Sequence, residues 1–182
     1  MRPYQREGLN WLAFISDLNA GGILADDMGL GKTVQTIALF LWLKSKLKDA
    51  DEKPIHLVIA PTSVVPNWQM EIEKFAPSLK SMVWHGPERH SMSEQMTEYD
   101  VIITSYALMR RDEEFLQNVN FHYVILDEAQ HIKNPLSATA RAAKKLKSER
   151  RLALTGTPIE NRLSEIWSIF DFVSPGLLGE LS

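Results

Sequence analysis

Two kinds of hydrophobic pattern alternate along this chain of 182 residues. Short apolar runs without polar interruption indicate strands that are buried on both faces, as in a parallel sheet. Longer segments carry apolar residues every three or four positions and therefore predict helices with one buried face. We predict strands at 23–25, 57–60, 82–84, 101–103, 123–126 and 152–154.

The predicted helices fall between these strands. They cover 3–18, 33–46, a segment around Trp68 that ends near Ala76, 106–116, 137–147 and 163–172. This alternation predicts an α/β fold in which helices cover both faces of a mostly parallel central sheet. We expect the core to contain the tryptophans that lie on apolar helix faces, namely Trp11, Trp42, Trp68 and Trp167. The basic tract from Arg141 to Arg151 is expected to be a solvated helix face.

Composition narrows the class of protein without identifying a ligand. The chain is 45% hydrophobic, has a formal net charge of −3 and contains no cysteine, which excludes disulfides and thiolate metal sites. No apolar run approaches the roughly 20 residues of a membrane-spanning helix, so we expect no membrane partner. We expect a cytoplasmic protein, associated with the nucleoid if it is bacterial or archaeal. Any nucleic-acid site must come from local placement of residues, because net charge does not indicate one.

Polar or glycine-containing clusters follow five of the predicted strands. They occupy 26–33, 61–63, 104–106, 127–131 and 155–158. The carboxyl ends of parallel strands meet at one edge of a sheet, and ligands of open α/β sheets bind at that edge. The sequence therefore predicts a composite site there, whereas purely structural loops would be scattered over both edges.

The segment from Asp26 to Thr33 has the layout of a phosphate-binding loop. It follows an apolar strand and ends in Gly31-Lys32-Thr33, which opens a helix. Glycines let the backbone approach phosphate oxygens, and the free N–H groups and dipole of a helix N-terminus favour an anion. Lys32 would bind the phosphates and Thr33 would offer its hydroxyl to Mg²⁺. The strict pattern has glycine at position 26, so a helix start with a flexible turn stays open as an alternative.

A pair of acids follows the strand at 123–126. In a phosphate-loop ATPase, Asp127 would hold Mg²⁺ through water and Glu128 would orient and deprotonate the attacking water. The alternative is a strand that ends in two solvated acids. The loop at 26–33 favours the functional interpretation.

Four segments together resemble the first ATPase lobe of the Swi/Snf-type family in helicase superfamily two. These are Arg2-Pro3-Tyr4-Gln5, Asp26–Thr33, Asp127-Glu128-Ala129-Gln130 and Leu154-Thr155-Gly156-Thr157-Pro158. The resemblance covers nearly the whole chain, and its acidic residue at position 26 accounts for the missing glycine. It implies a RecA-like lobe over residues 1–182 that binds ATP and Mg²⁺.

The resemblance also implies roles for single residues on the nucleotide side. Glu128, Lys32, Asp127 and Gln130 would be catalytic, and Thr33 and Asp127 would hold the metal. Gln5 would contact the adenine, since a carboxamide donates and accepts at once; a solvated glutamine is the alternative. The remaining nucleotide contacts would come from Asp27, Met28, Gly29, Leu30 and Gly31.

A second set of residues would contact nucleic acid or couple it to the nucleotide. The implied contacts are Pro61, Thr62, Ser63, Thr104, Ser105, Tyr106, Lys133 and Asn134. Capping of the following helices is the alternative for the serines and threonines, and a solvated side chain is the alternative for Lys133. Thr155, Gly156 and Thr157 would couple the two sites, the alternative being a turn held by side-chain to backbone bonds.

The resemblance implies half of an enzyme. A second RecA-like lobe of the same polypeptide would supply arginines to the γ-phosphate, and such arginines are worth about 10³–10⁵ in rate. We expect the whole enzyme to move along double-stranded DNA, with a protein–DNA complex as its remodelling target, and the isolated lobe to be nearly inactive. A nucleotide-binding or partner-docking module without catalysis is the alternative. An unrelated kinase is less favoured, because no acceptor pocket or lid is evident.

Overall fold

One six-stranded sheet occupies the middle of the fold in the computed structural model, which describes residues 3–25, 31–48, 53–156, 163–177 and 179. The strands are β1 (Gly22–Leu24), β2 (His56–Ala60), β3 (Ser81–Val83), β4 (Val101–Ser105), β5 (Asn120–Leu126) and β6 (Lys147–Leu154). Their order is β1-β6-β5-β2-β4-β3, and every pairing within the described residues is parallel. The predicted α/β class is confirmed.

Helices connect the strands. They are α1 (Pro3–Asp17), α2 (Lys32–Lys46), α3 (Val65–Phe75), α4 (Tyr106–Arg111), α5 (Glu113–Leu116), α6 (Ala138–Lys145) and α7 (Leu163–Val173). Two 3-10 helices cover Arg89–Glu98 and Ala129–Ile132. Within the described residues, no helix combines the length and the apolar character needed to cross a membrane.

The core consists of two layers, one on each face of the sheet. Successive residues of a strand point to opposite faces, so Leu57 and Ile59 of β2 join one cluster and Val58 and Ala60 join the other. The cluster of Val58 and Ala60 contains apolar residues of α1, α2 and α3, and the cluster of Leu57 and Ile59 contains those of α4 to α7. Both faces are therefore covered by helices, as the uninterrupted apolar runs predict.

The structure corrects the predicted helix over 106–116 and part of the basic tract. The helix is divided at Asp112, which separates α4 from α5. Arg150 and Arg151 belong to β6, and the guanidinium of Arg151 donates to the carbonyl oxygens of Lys144 and Leu146 at 3.1 and 2.8 Å. Arg151 thus joins β6 to the end of α6, and Nε of Arg150 donates to the carbonyl oxygen of Ser16 in α1 at 3.0 Å, so neither arginine lies on a solvated helix face.

The four tryptophans that we expect in the core differ in their burial. Trp68 is fully buried, as expected, whereas Trp11 is 40% exposed and the prediction that it lies in the core is wrong. Trp42 and Trp167 are half-buried. Lys46 and Lys144 lie over the rings of these last two residues at 4.7 Å, so cationic side chains cover part of their apolar surface.

Candidate nucleotide site at the carboxyl edge of the sheet

The carboxyl ends of four strands and the segments that follow them form the edge at which ligands of such sheets bind. The chain runs from β1 toward α2, which begins at Lys32, and β5 ends immediately before Asp127. β6 ends immediately before Thr155, whose N–H donates to the carbonyl oxygen of Leu24 in β1 at 3.1 Å. Segment 61–64 follows β2. The topology therefore brings the predicted nucleotide, acidic and coupling segments to one edge.

The N-terminus of α2 lies beside Gln5 of α1. Gly31 precedes this helix with φ 80° and ψ 37°, a left-handed conformation that suits glycine, and it provides no side-chain cap. A Cβ at position 31 would overlap the amide nitrogen of Gln5, so the Gln5 side chain packs directly against this glycine. Lys32 and Thr33 occupy the first turn and are half-buried. The other predicted loop residues, Asp27, Met28, Gly29 and Leu30, lie outside the described residues.

Hydrogen bonds with neutral groups hold both the carboxylate and the backbone of Asp127. Its carboxylate is buried, Oδ1 accepts from the N–H of Glu128 at 2.9 Å, and Oδ2 accepts from Nε1 of Trp68 at 2.8 Å. Its N–H donates to the carbonyl oxygen of Ile59 at 2.8 Å, and its own carbonyl oxygen accepts from the hydroxyl of Tyr106 at 2.6 Å. The position of the carboxylate is therefore fixed by three different segments.

Burial is the largest influence on this carboxyl group and raises the pKa of Asp127 above its ordinary value. The negative charge of Glu128 raises it further, whereas the indole of Trp68 and the positive charge of Lys32 lower it. Lys32 and Asp127 therefore belong to the same edge of the sheet, as the parallel order of β1, β6 and β5 requires. Burial also raises the pKa of Glu71 on α3, and the charge of Asp127 adds to that effect. An additional cation would stabilise this group of acids.

Glu128 begins a hydrogen-bonded path toward β6. Its backbone adopts φ 50° and ψ 56°, a conformation that is uncommon outside glycine and that is found at functional sites. Its Oε2 accepts from Nε2 of Gln130 at 2.7 Å, and Oε1 of Gln130 accepts from the hydroxyl of Thr155 at 3.3 Å. The three side chains connect the acidic segment with the end of β6. Gly156 follows and is half-buried, and Thr157 lies outside the described residues.

The residues at this edge fit a magnesium ion that is shared with a phosphate ligand. In the part of the chain that the structure describes, no group of three or more acidic, histidine or cysteine side chains could hold a metal ion alone. Magnesium in nucleotide sites takes one or two protein oxygens and completes its shell with phosphates and water. The buried carboxylate of Asp127 and the hydroxyl of Thr33 in the first turn of α2 are the protein oxygens suited to it.

The nucleic-acid candidates divide into exposed and buried residues. Thr62 and Ser63 are exposed, and the N-cap position of α3 is Val64, so neither side chain caps that helix. Lys133 and Asn134 are also exposed. Lys133 forms an ion pair with Glu165 at 3.5 Å, and Oδ1 of Asn134 accepts from the N–H of Leu136 at 3.0 Å. Pro61 is half-buried and accepts hydrogen bonds that start α3.

Three candidates have other partners. Thr104 is fully buried, and its hydroxyl donates to the carbonyl oxygen of Trp84 at 3.0 Å. Ser105 caps α4 by accepting from the N–H of Leu108 at 3.2 Å. Tyr106 is buried against Asp127. All three side chains therefore have partners within the protein in this conformation, and their assignment as nucleic-acid contacts stays a prediction.

Two residues beside Asp127 are missed by sequence reasoning. The sequence pattern places Trp68 in the core and indicates no further role, and it does not single out Glu71. A buried indole N–H needs an acceptor, and this requirement was the available signal for Trp68. His131, expected to be a packing residue, stacks on Tyr106 with ring centroids 4.6 Å apart.

Known proteins resemble this chain over its whole length. A model of the SNF2-related domain family matches residues 4–182. The putative ATP-dependent helicase/translocase YwqA of Bacillus subtilis is 49% identical over 185 residues, which cover 100% of this chain and 20% of that protein. The TATA-binding protein-associated factor MOT1 of Saccharomyces cerevisiae is 41% identical over 189 residues, covering 98% of this chain and 10% of that protein.

Two solved structures share the fold. The SWI2/SNF2 ATPase core of Sulfolobus solfataricus in complex with double-stranded DNA is 49% identical with a TM-score of 0.88, and the match covers 98% of this chain and 36% of that chain. A structure of the same ATPase core domain gives 48% identity and a TM-score of 0.83, with the same coverage. The chain thus spans a fifth or less of these two curated relatives and about a third of the solved cores. With its RecA-like sheet, its loop-to-helix turn at Lys32 and its acidic segment at Asp127, the chain belongs to the SNF2-related domain family.

Proposed function

We propose that this chain is the ATP-binding lobe of an enzyme that hydrolyses ATP when it is bound to double-stranded DNA and uses the energy to move along the duplex. One observation carries the proposal. The edge at which the charge of Lys32 acts on Asp127 is also the start of the hydrogen-bonded path from Glu128 through Gln130 to Thr155. A path of this kind could couple a bound strand to the group that activates water.

The described residues suggest a division of labour at the nucleotide. Lys32 and the first N–H groups of α2 would bind the phosphates, with the charge and dipole that such anions require. Gln5 would contact the base from α1. Glu128 would accept a proton from the attacking water, and Gln130 would hold its carboxylate. The magnesium ion, held by Asp127 and Thr33, would neutralise charge that develops on the phosphates.

The relatives support the duplex and the second lobe as partners. The Sulfolobus core that shares the fold was solved with double-stranded DNA, and this chain covers 36% of it. We infer that a second RecA-like lobe of the same polypeptide completes the site and that the exposed residues Thr62, Ser63, Lys133 and Asn134 contact the DNA backbone. A protein–DNA complex is the proposed target of the movement. In a bacterium or archaeon such an enzyme would work at the nucleoid, in the cytoplasm.

The test is the ATPase rate of the complete enzyme with and without linear duplex DNA over a series of salt concentrations. We expect duplex to stimulate hydrolysis and the stimulation to weaken steeply with salt, because phosphate contacts release counterions. Lys32→Ala should weaken ATP binding and abolish turnover, which shows that the measured rate comes from this site. A rate that is the same with and without duplex at low salt would contradict the proposal.

A further inference from the structure

Trp68 is the one side chain of α3 that donates a hydrogen bond to the Asp127 carboxylate in the described structure. Its indole is fully buried, and Nε1 lies 2.8 Å from Oδ2 of Asp127. An indole N–H can only donate and carries no charge. It therefore directs one carboxylate oxygen without neutralising the carboxylate, which leaves the negative charge available for a cation.

The other end of this connection is the exposed turn before α3. The carbonyl oxygen of Pro61 accepts from the N–H groups of Val64 and Val65 at 2.8 and 3.2 Å, and that of Val64 accepts from the N–H of Trp68 at 3.2 Å. Segment 61–64 and the first turn of α3 are thus one hydrogen-bonded unit. A displacement of this turn would also move the indole of Trp68, because the unit is short and its side chains Val65 and Trp68 are buried in the core.

The segment that follows β4 provides a second hydrogen bond to Asp127. The hydroxyl of Tyr106, the first residue of α4, donates to the carbonyl oxygen of Asp127 at 2.6 Å. It fixes the backbone of Asp127, whereas Trp68 fixes the carboxylate. With the backbone held, a movement of α3 changes the direction of the carboxylate rather than shifting the whole residue.

We propose that Trp68 is a positioning residue that links contact between DNA and segment 61–64 to the orientation of the Asp127 carboxylate. The inference rests on the proposed function, because it takes Asp127 as a magnesium ligand and segment 61–64 as a DNA contact. Trp68 itself touches neither ligand. Binding of a duplex would set the first turn of α3, and the indole would then hold the carboxylate in the direction that the metal requires.

The chain provides a matched control in Trp84. This residue is also fully buried, and its Nε1 donates to Oδ2 of Asp112 at the same distance of 2.8 Å. Asp112 belongs to neither the nucleotide edge nor the exposed turn. Trp68→Phe and Trp84→Phe therefore delete the same kind of donor from a fully buried indole, and only the first deletion removes a hydrogen bond from Asp127.

The first experiment compares these two variants in the complete enzyme. It measures the affinity for a non-hydrolysable ATP analogue with Mg²⁺ and with EDTA, the DNA-stimulated kcat, and the duplex concentration for half-maximal stimulation. Trp68→Phe should reduce two quantities by about tenfold each: the increase in analogue affinity that Mg²⁺ provides, and the DNA-stimulated kcat. Losses of this size are usual when a metal ligand loses the residue that orients it. The half-maximal duplex concentration should stay within about twofold of the wild-type value. Trp84→Phe should leave all three quantities unchanged.

Two outcomes would overturn the inference. Trp68→Phe could retain the wild-type gain from Mg²⁺ and the wild-type stimulation, or Trp84→Phe could lose as much as Trp68→Phe, which would indicate a general effect of destabilisation. Either result, in an enzyme whose wild type is stimulated by duplex, leaves the proposed function intact and rejects the role of Trp68. A wild type without stimulation would reject the proposed function instead.

A measurement on the wild type does not depend on the folding of a variant. Hydrogen exchange of the complete enzyme is followed by mass spectrometry before and after addition of Mg²⁺ and the ATP analogue, without DNA. We expect slower exchange in the first turn of α3, which is not part of the proposed nucleotide site, and no change in the peptide that contains Trp84. Protection around Asp127 without any protection of α3 would contradict the link.

Discussion

Two buried aspartates in this protein have the same kind of aromatic neighbour and opposite electrostatic surroundings. Asp127 lies at the carboxyl edge of the sheet, and Asp112 lies between α4 and α5. Each accepts a hydrogen bond from a fully buried indole at 2.8 Å, Asp127 from Trp68 and Asp112 from Trp84. Their side chains thus start from similar packing, and the difference between them comes from charge.

Asp112 is neutralised within the fold. Arg89 donates to both of its carboxylate oxygens, at 2.5 and 2.7 Å, and His90 lies 3.2 Å from one of them. Burial works against ionisation, but these partners and the indole of Trp84 outweigh it and lower the pKa of Asp112 to about 2. The residue fastens the 3-10 helix over Arg89–Glu98 to the start of α5.

Among the described residues Asp127 has no comparable ion-pair partner, and the positive charge of Lys32 affects its pKa less than burial does. No ion pair within the described part of the chain includes it, its hydrogen-bond donors are neutral, and burial raises its pKa. A buried carboxylate without a cation is costly unless a ligand supplies one. The indole alone therefore does not mark a functional aspartate, whereas the lack of an ion-pair partner among the described residues does.

The largest effect should come from exchanging each aspartate for asparagine. Asp127→Asn should lower DNA-stimulated hydrolysis by about 10³-fold, or ~4 kcal/mol of barrier, because a metal ligand is lost. It should change the melting temperature of the chain by only a few degrees, since one lost hydrogen bond is offset by removal of a buried charge. Asp112→Asn should keep the activity at low temperature and lower the melting temperature by about 10 °C, because Arg89 loses its partner. A loss of activity in Asp112→Asn and a loss of stability in Asp127→Asn would contradict this division of roles.

The next effect concerns the group that activates water. Glu128→Gln keeps an acceptor for Gln130 but removes the base, so hydrolysis should fall at least about 100-fold while the affinity for ATP stays close to the wild-type value. Equilibrium binding of ATP and single-turnover hydrolysis measure the two quantities separately. Normal hydrolysis by this variant would show that the base is another residue.

A smaller loss is expected from interrupting the path between Glu128 and β6. Gln130→Ala removes two hydrogen bonds of about 1 kcal/mol each, so the stimulation of kcat by duplex should fall roughly 30-fold. The exposed Gln95, far from this edge in sequence, serves as the matched control for a glutamine-to-alanine change. Equal stimulation in the Gln130 and Gln95 variants would show that the path does not couple the sites.

The smallest effect is a difference in the pH dependence of stability. The folded pKa of Asp112, about 2, lies below its ordinary value of 3.8, so its contribution is complete above pH 3.8 and is lost as the pH falls toward 2. The stability advantage of the wild type over Asp112→Asn should therefore shrink over that range. For Asp127 the sign is opposite, because a raised pKa means that the wild type loses stability relative to Asp127→Asn as the pH rises above 3.8. Urea unfolding at a series of pH values measures the stability difference between the wild type and each variant. If both differences changed with pH in the same direction, the opposite pKa shifts of Asp112 and Asp127 would be contradicted.

The sequence predicts those features of the fold and of the site that depend on local pattern. Uninterrupted apolar runs predict the buried strands because a parallel sheet buries both of its faces. The polar clusters after the strands predict the edge, since parallel strands end side by side. The turn before Lys32 and the acids at 127 and 128 are short motifs with a mechanism of their own, so their identity could be read from the residues.

The remaining features depend on contacts between distant segments. Asp112 interrupts the predicted helix because its carboxylate turns toward Arg89, 23 residues earlier. Thr104 resembles a surface residue in sequence, but its strand lies between β2 and β3 and its hydroxyl binds the backbone of Trp84. The pairing of each tryptophan with an aspartate is likewise invisible in either local pattern.

The most direct test of the central claim is a structure of the complete enzyme with Mg²⁺ and a non-hydrolysable ATP analogue. We expect the phosphates at the N-terminus of α2, beside Lys32, and the metal between them and the carboxylate of Asp127. A nucleotide bound elsewhere on the lobe, with Lys32 and Asp127 on neither side of its phosphates, would contradict it.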